Sequence, residues 1–243
     1  MRPLNAAELL DIWEAGIEQP LLEKSFRLIA KSCGVKNHNE IAFLNIGERD
    51  ARLLQLREWM FGPVMQNVAD CPQCSEILEW ETTVESLRLQ PVHDDPVVKT
   101  FLLESDGFII KFRLPDSNDL SKTILKNVDH KRILADCIID INREGEKCTV
   151  EDMPSSMWES LNQRMGEEDP QADIRISLQC PVCSHQWKAG FDIVSFLCAE
   201  INNKVRQILL EVYHLAHSFG WSEKDILTMS ARRRQMYLQM LRV

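Results

Sequence analysis

The sequence predicts an α+β fold that is helical at both ends and carries short strands between them. Three observations predict it. Residues 1–63 and 196–243 place apolar side chains at spacings of three and four. The region between them is broken into short alternating runs bounded by Gly, Pro, Asn and Asp. Two Cys-Pro-x-Cys pairs, Cys71-Pro72-Gln73-Cys74 and Cys180-Pro181-Val182-Cys183, sit in matched surroundings, with 105 residues between Cys74 and Cys180.

The N-terminal helices come first. Asn5 is placed to cap Ala6–Gly16, with Glu8 closing a capping box. Leu9, Trp13 and Ile17 then share one face. Gln19-Pro20 breaks the run, Leu21–Lys31 restarts it, and Gly34 is a C-cap. Asn37–Glu40 reads as a turn. The charged triplet Glu48-Arg49-Asp50 precedes a helix over Ala51–Phe61, ended by Gly62-Pro63. The triplet has two readings: the cap and first turn of that helix, or a buried ion network between Ile46 and Leu53.

The period then changes. Ile77–Val84 is strand-like. Val97–Leu103 and Phe108–Leu114 form a hairpin around Asp106-Gly107. Pro115–Asp119 caps a helix over Leu120–Asn127, Arg132–Ile141 is apolar-rich, and Val150–Met165 looks helical. Gly166–Pro170 reads as an acidic loop and boundary. Ile174–Leu178 alternates as a strand into the second cysteine pair, and the chain leaves that pair through Trp187–Ile193. Phe196–Phe219 is a long amphipathic helix. Ser222 caps Ser222–Thr228, and Ser230 caps a last helix over Ala231–Leu241.

Composition narrows the function classes. The 243 residues include 28 Lys plus Arg against 37 Asp plus Glu, a net charge of −9. An acidic chain is a poor partner for duplex nucleic acid, whose phosphates demand a basic face. No stretch approaches the roughly 20 apolar residues that span a bilayer, and the N-terminus reaches Glu8 and Asp11 without the apolar core of a signal peptide. The expectation is a cytoplasmic chain without a membrane segment. Its eight cysteines are then thiols or metal ligands rather than disulfides.

The paired cysteines carry the most specific signal. A C-x₂-C turn brings two thiolates to one metal ion, and two such turns make a closed tetrahedral S₄ site for structural zinc. Cys71, Cys74, Cys180 and Cys183 are the expected Zn²⁺ ligands. Each pair leaves through a segment with a Trp, Trp80 or Trp187, which suggests two facing hairpins of a zinc ribbon. A simple ribbon spaces its pairs by roughly 15–20 residues, so this one is split by an insertion. A redox C-x-x-C is expected once, at a strand-to-helix junction, rather than twice in matched contexts; a metal-free pair of hairpins is the other alternative. His185 is a substitute ligand or a surface histidine. Cys33, Cys137, Cys148 and Cys198 read as small core residues. His214 and His217 share a helical face, either as a metal pair or as partly buried histidines. No catalytic constellation is visible, and four thiolates leave no open metal position, so the expectation is a protein that is not an enzyme.

The tail is the basic exception. From Ser222 to Val243 it holds Lys224, Arg232, Arg233, Arg234 and Arg242 against Glu223 and Asp225. Trp221, Arg232, Arg233, Arg234 and Tyr237 are candidate partner-binding residues on a docking helix. The competing reading is a solvated last helix whose Arg stems cover its own core.

Several segments together resemble the T4-like phage baseplate proteins of contractile phage tails and related extracellular contractile injection systems. They are Asn45-Ile46-Gly47-Glu48-Arg49-Asp50-Ala51-Arg52-Leu53-Leu54, Leu56-Arg57-Glu58, Phe61-Gly62, the first cysteine pair, Phe112-Arg113-Leu114-Pro115 with Asp119-Leu120, the second cysteine pair, and Trp221–Arg234 with Tyr237-Leu238. The resemblance implies a non-enzymatic structural or assembly role beside other baseplate or hub proteins. It does not supply the zinc, which comes from the cysteine spacing.

The full expectation is an α+β protein with helical N- and C-terminal regions around a split zinc ribbon with an inserted mixed α/β subdomain. Its regions are 1–63 (helical), 64–89 (first half of the ribbon), 90–170 (insertion), 171–195 (second half) and 196–243 (helical). The alternative function is a zinc-ribbon adaptor in an unrelated cytoplasmic complex.

Overall fold

A computed structural model describes residues 1–89, 91–92, 99–126 and 129–241. Val97 and Val98 of the expected hairpin, Asn127 at the end of an expected helix, and Arg242 of the tail lie outside the described residues. In chain order the elements are α1 (Ala6–Ala15), α2 (Leu21–Cys33), α3 (Ile46–Phe61), β1 (Val64–Asp70), β2 (Ile77–Thr83), α4 (Val84–Leu87), β3 (Thr100–Ser105) and β4 (Phe108–Arg113). They continue as α5 (Ser117–Lys126), α6 (His130–Cys137), β5 (Ile138–Arg143), β6 (Glu146–Lys147), α7 (Ser155–Glu168), β7 (Arg175–Gln179), β8 (Gln186–Gly190), α8 (Ile193–Phe219), α9 (Glu223–Thr228) and α10 (Ala231–Met240). Short 3₁₀ turns cover His38–Phe43, Val150–Asp152 and Pro170–Ala172. Every strand pairing among the described residues is antiparallel, in keeping with an α+β fold.

The chain forms two compact units. One consists of Met1–Lys36 and Ile193–Val243, and the other of Asn37–Asp192.

The first unit is all helical and is organised by α8, against which α1, α2, α9 and α10 pack. The apolar stripe of α8, including Leu197, Ile201, Val205, Ile208 and Leu215, is buried, as are Leu9 of α1 and Phe26, Leu28 and Ile29 of α2. Local chemistry sets the ends. Asn5 accepts from the Glu8 amide while the Glu8 carboxylate accepts from the Asn5 amide, the reciprocal capping box. Gly34 ends α2 at φ 72°, where a side chain is strained. Trp13 Nε1 donates to Asn202 Oδ1 at 2.8 Å, pinning α1 to α8.

The second unit contains a four-stranded meander, β3-β4-β5-β6, and two separate two-stranded sheets, β1-β2 and β7-β8. Asp106 and Gly107 both have positive φ, 51° and 79°, the backbone that a tight two-residue hairpin turn needs. Phe108, Ile110 and Phe112 of β4 face a core completed by Leu134, Cys137 and Ile141 and by Met157, Leu161 and Met165 of α7.

The helix α3 is buried all round its first half: Gly47 through Leu54 are all buried. Its charged triplet satisfies both sequence readings at once. Asn45 Oδ1 accepts from the Glu48 amide at 2.7 Å, so the triplet lies in a capped first turn. It is also a buried ion network. Arg49 pairs with Asp50 at 2.7 Å and Arg52 with Glu48 at 2.9 Å, and Arg49 Nη1 donates to Ser117 Oγ at 3.1 Å.

Three details differ from the sequence expectation. The acidic run after Gly166 is not a loop: α7 continues to Glu168, because Arg164 pairs with Glu167 and Glu168 along the helix. Asp169 is turned inward, 4% exposed, and accepts from the Gly47 amide at 3.0 Å. The apolar run Arg132–Ile141 divides, with α6 ending at Cys137 and β5 starting at Ile138.

Two carboxylates give opposite pH signs. Burial lifts the Asp50 acid to about 6, against the pull of Arg49 and with help from Asp192 and Asp169. Its contribution to stability is therefore present below about pH 4 and is lost as pH rises through about 6. Arg2, assisted by the Asn5 amide and Lys31, holds Glu8 at about 2 against the opposing effect of burial. Glu8 contributes above about pH 4.5, and that contribution is lost as pH falls toward 2. Chemical-denaturation stability measured against pH should lose its slope between about 4 and 6 in Asp50→Asn. In Glu8→Gln, the deficit relative to wild type should close between about 4.5 and 2. Wild-type slopes in both variants would refute these assignments.

Candidate metal centre

Two hairpins of the second unit build the site, and they build it the same way twice. Cys71 follows the last residue of β1 and β2 starts six positions later; Cys180 follows β7 and β8 starts six positions later. In the first turn the Cys71 amide donates to the Glu76 carbonyl at 2.8 Å and the Ser75 amide to the Cys71 carbonyl at 2.9 Å. In the second the Cys180 amide donates to the His185 carbonyl at 2.9 Å and the Ser184 amide to the Cys180 carbonyl at 3.0 Å. Ser75 and Ser184 both sit at φ 60°, the left-handed region that swings the chain back into the second strand.

These turns bring all four cysteines together. Their Sγ atoms lie within 4.8 Å of one another. Cys71 and Cys183 approach to 3.6 Å, and Cys74 and Cys180 to 3.5 Å, each contact crossing from one hairpin to the other. A tetrahedral ion with metal–sulfur bonds of about 2.3 Å sets sulfur–sulfur edges near 3.8 Å. The cluster is thus the right size to hold one metal ion with small adjustments. Each hairpin contributes one buried cysteine, Cys71 or Cys180, and one exposed cysteine, Cys74 or Cys183.

Backbone amides are aimed at the sulfurs. The Cys183 amide is the main influence holding the Cys180 thiol down to about 7, helped by the Val182 amide and the neighbouring thiols against burial. The Glu76 amide pulls on Cys74 in the same sense, but burial and the other three thiols outweigh it and push Cys74 up to about 12. Cys183 is also raised: the His185 amide lowers it, and burial with the Cys180 and Cys71 thiols prevails. Thiols crowded together resist multiple ionisation, and a bound divalent cation reverses that resistance.

The other sequence candidates fall elsewhere. The His185 ring stacks on Trp187, with centroids 5.8 Å apart, and His185 is outside the sulfur cluster. His214 and His217 both contact the Tyr213 ring. Among the described residues the four cysteines are the metal-capable group. Cys137 and Cys198 are buried, whereas Cys33 and Cys148 are only half-buried.

The tail residues divide. Arg232 and Arg233 are exposed, and Arg233 lies over the Tyr237 ring at 5.7 Å. Trp221 packs with Phe219 and Tyr237. Arg234 is 2% exposed: its Nε donates to Glu211 at 2.8 Å and its Nη1 to the Met229 carbonyl at 2.8 Å. The expectation that Arg234 meets a partner therefore gives way to a structural role, because its guanidinium is already spent on α8. Sequence reading missed Glu211 as its counter-ion, although Glu211 stands out as an acid inside the otherwise apolar stripe of α8. It also missed the serine that follows each cysteine pair, a repeat visible as Cys-Pro-x-Cys-Ser.

Two substitutions test this geometry. Ser75→Val puts a β-branched side chain at positive φ and should cost on the order of 1–2 kcal/mol, while Ser75→Gly should be tolerated; equal urea midpoints for the two would refute the argument. Arg234→Ala leaves the buried Glu211 carboxylate with the Gln235 amide at 2.6 Å but without its cation and should cost about 3 kcal/mol, and an unchanged melting temperature would refute the pairing.

Comparison with known proteins gives one family. A family model described as T4 bacteriophage base plate protein matches residues 9–198. The match includes α3, the Phe112–Pro115 segment and both cysteine pairs, and it stops short of the tail. No curated protein and no solved structure matches the chain. With more than half of its length matched, the chain belongs to the T4 bacteriophage base plate protein family.

Proposed function

We propose that the chain is a non-enzymatic structural component or assembly factor of a contractile tail or injection-system baseplate, and that a structural Zn²⁺ at Cys71, Cys74, Cys180 and Cys183 staples it. The family membership supports the baseplate role. The single observation that carries the zinc reading is the approach of four sulfurs from two distant turns to within 4.8 Å. In this reading β1-β2 and β7-β8 are the two halves of one zinc ribbon, and the chain between them is the insertion. All-thiolate coordination selects a soft or borderline metal and leaves no open position for substrate. Other baseplate or hub proteins are the partners, the exposed part of the C-terminal helix is a docking element, and assembly takes place in the bacterial cytosol.

Protein purified without chelator should contain about one zinc per chain, the capacity of a single S₄ site. A Cys71→Ser/Cys180→Ser variant should lose that zinc and become protease-sensitive, since metal binding of this kind is part of the folding free energy. Metal analysis that finds no zinc, together with a variant that melts like wild type, would overturn the staple.

A further inference from the structure

The reading of α10 as a docking element raises the question of what it docks on, and the chain itself carries a matching surface. Residues 64–83 contain Asp70, Glu76, Glu79 and Glu81 and no Lys, Arg or His. The register of β1-β2 pairs Val68 with Glu79, Gln66 with Glu81 and Asp70 with Ile77. Directly opposed residues share a face of an antiparallel pair, so Asp70, Glu79 and Glu81 lie with Val64, Val68 and Ile77 on one side of this hairpin. That side is solvent-exposed: Val64 is 46%, Val68 64% and Ile77 61% exposed. It is an acidic surface with an apolar centre and no cation of its own.

The exposed side of α10 is the converse. Arg232 and Arg233 are exposed, with Met236 and Met240 one and two turns further on, and the ten residues of α10 include no acid. A ten-residue helix is about 15 Å long and a seven-residue strand about 23 Å, so the helix fits within the length of the hairpin face. Charge and apolar content therefore match on both sides. We propose that α10 of one copy docks on the exposed β1-β2 face of a second copy. Its arginines would meet Glu79 and Glu81, and its methionines would meet Val68 and Ile77. Two different patches are used, so the contact is heterologous: in a joined pair one copy keeps its α10 unused and the other its β1-β2 face, and each free patch adds a further copy head to tail. The inference rests on the docking role of α10 proposed above.

The test uses the full-length protein alone in sedimentation velocity over a concentration series. Wild type should self-associate, and raised salt should weaken the association. Arg232→Glu/Arg233→Glu and Glu79→Arg/Glu81→Arg, each checked for a native circular dichroism spectrum, should each lower the self-association constant by about tenfold or more. Mixing the two variants should restore a complex, because the unaltered α10 of the hairpin variant meets the unaltered hairpin of the helix variant, and the two reversed surfaces also match. A monomeric wild type, undiminished self-association in either variant, or a mixture that stays dissociated would overturn the inference. A monomeric wild type that still captures baseplate proteins would overturn only this inference and leave the proposed function standing.

Discussion

Two turns more than a hundred positions apart in the chain meet in the second unit, and the four-sulfur site depends on that meeting. Closing a loop of about 100 residues costs on the order of 5 kcal/mol of chain entropy. Sulfur–sulfur contacts of 3.5 and 3.6 Å are too weak to supply that. In the proposed reading structural zinc, with apparent binding energies of about 10–16 kcal/mol in small domains at neutral pH, is enough to close the loop with margin. Each turn is held by its own backbone bonds, since Cys71 and Cys180 each close on a carbonyl in the same turn. Closing the site then requires bringing two preformed halves together, without also ordering four separate side chains.

The other fixed point of this unit is the N-terminal half of α3. Buried charge is costly unless it is paired, and here every member of the triplet is tied down. The partners come from separate stretches of chain. Ile46 donates its amide to the Pro115 carbonyl at 3.2 Å, Asn45 bridges to Asp116, Arg49 reaches Ser117, and Asp169 holds the Gly47 amide. The next turn of the same junction is locked by Arg113, which forks onto Asp119 at 2.7 and 3.1 Å. Two of the segments that carry the family resemblance, around Gly47–Asp50 and Phe112–Asp119, are therefore neighbours in space. Their residues are specific because each hydrogen bond fixes a partner as well as a conformation.

Local features were legible in the sequence because their causes are local. Asn5 with Glu8, Gly34, Asp106-Gly107, Ser222 and Ser230 act on their own turns and needed no knowledge of the rest. The four cysteines were legible for another reason, since a metal site demands a spacing that side-chain packing does not. What could not be read was long-range. Asp169 looks like loop because nothing nearby shows that an amide 122 positions away needs an acceptor. Arg234 looks like one of three equivalent arginines, and only its phase relative to Glu211 turns it inward while Arg232 and Arg233 stay exposed. The same helix periodicity that marks an apolar stripe says nothing about which charged residue will face it.

The all-helical unit is made from the two ends of the chain, with Asn37–Asp192 between them. That has a consequence for the order in which the protein is made. When α1 and α2 leave the ribosome, α8, the helix they need, has not been synthesised. At roughly 5–20 residues per second, residues 37–192 take on the order of ten to thirty seconds to follow. Throughout that interval α1 and α2 have only each other and lack the α8 surface that buries Leu9, Phe26 and Ile29, whereas the intervening unit emerges as a continuous stretch and can complete itself first. The N-terminal helices of a nascent chain therefore wait with their α8-facing side uncovered, and translation speed across the intervening unit sets how long that exposure lasts.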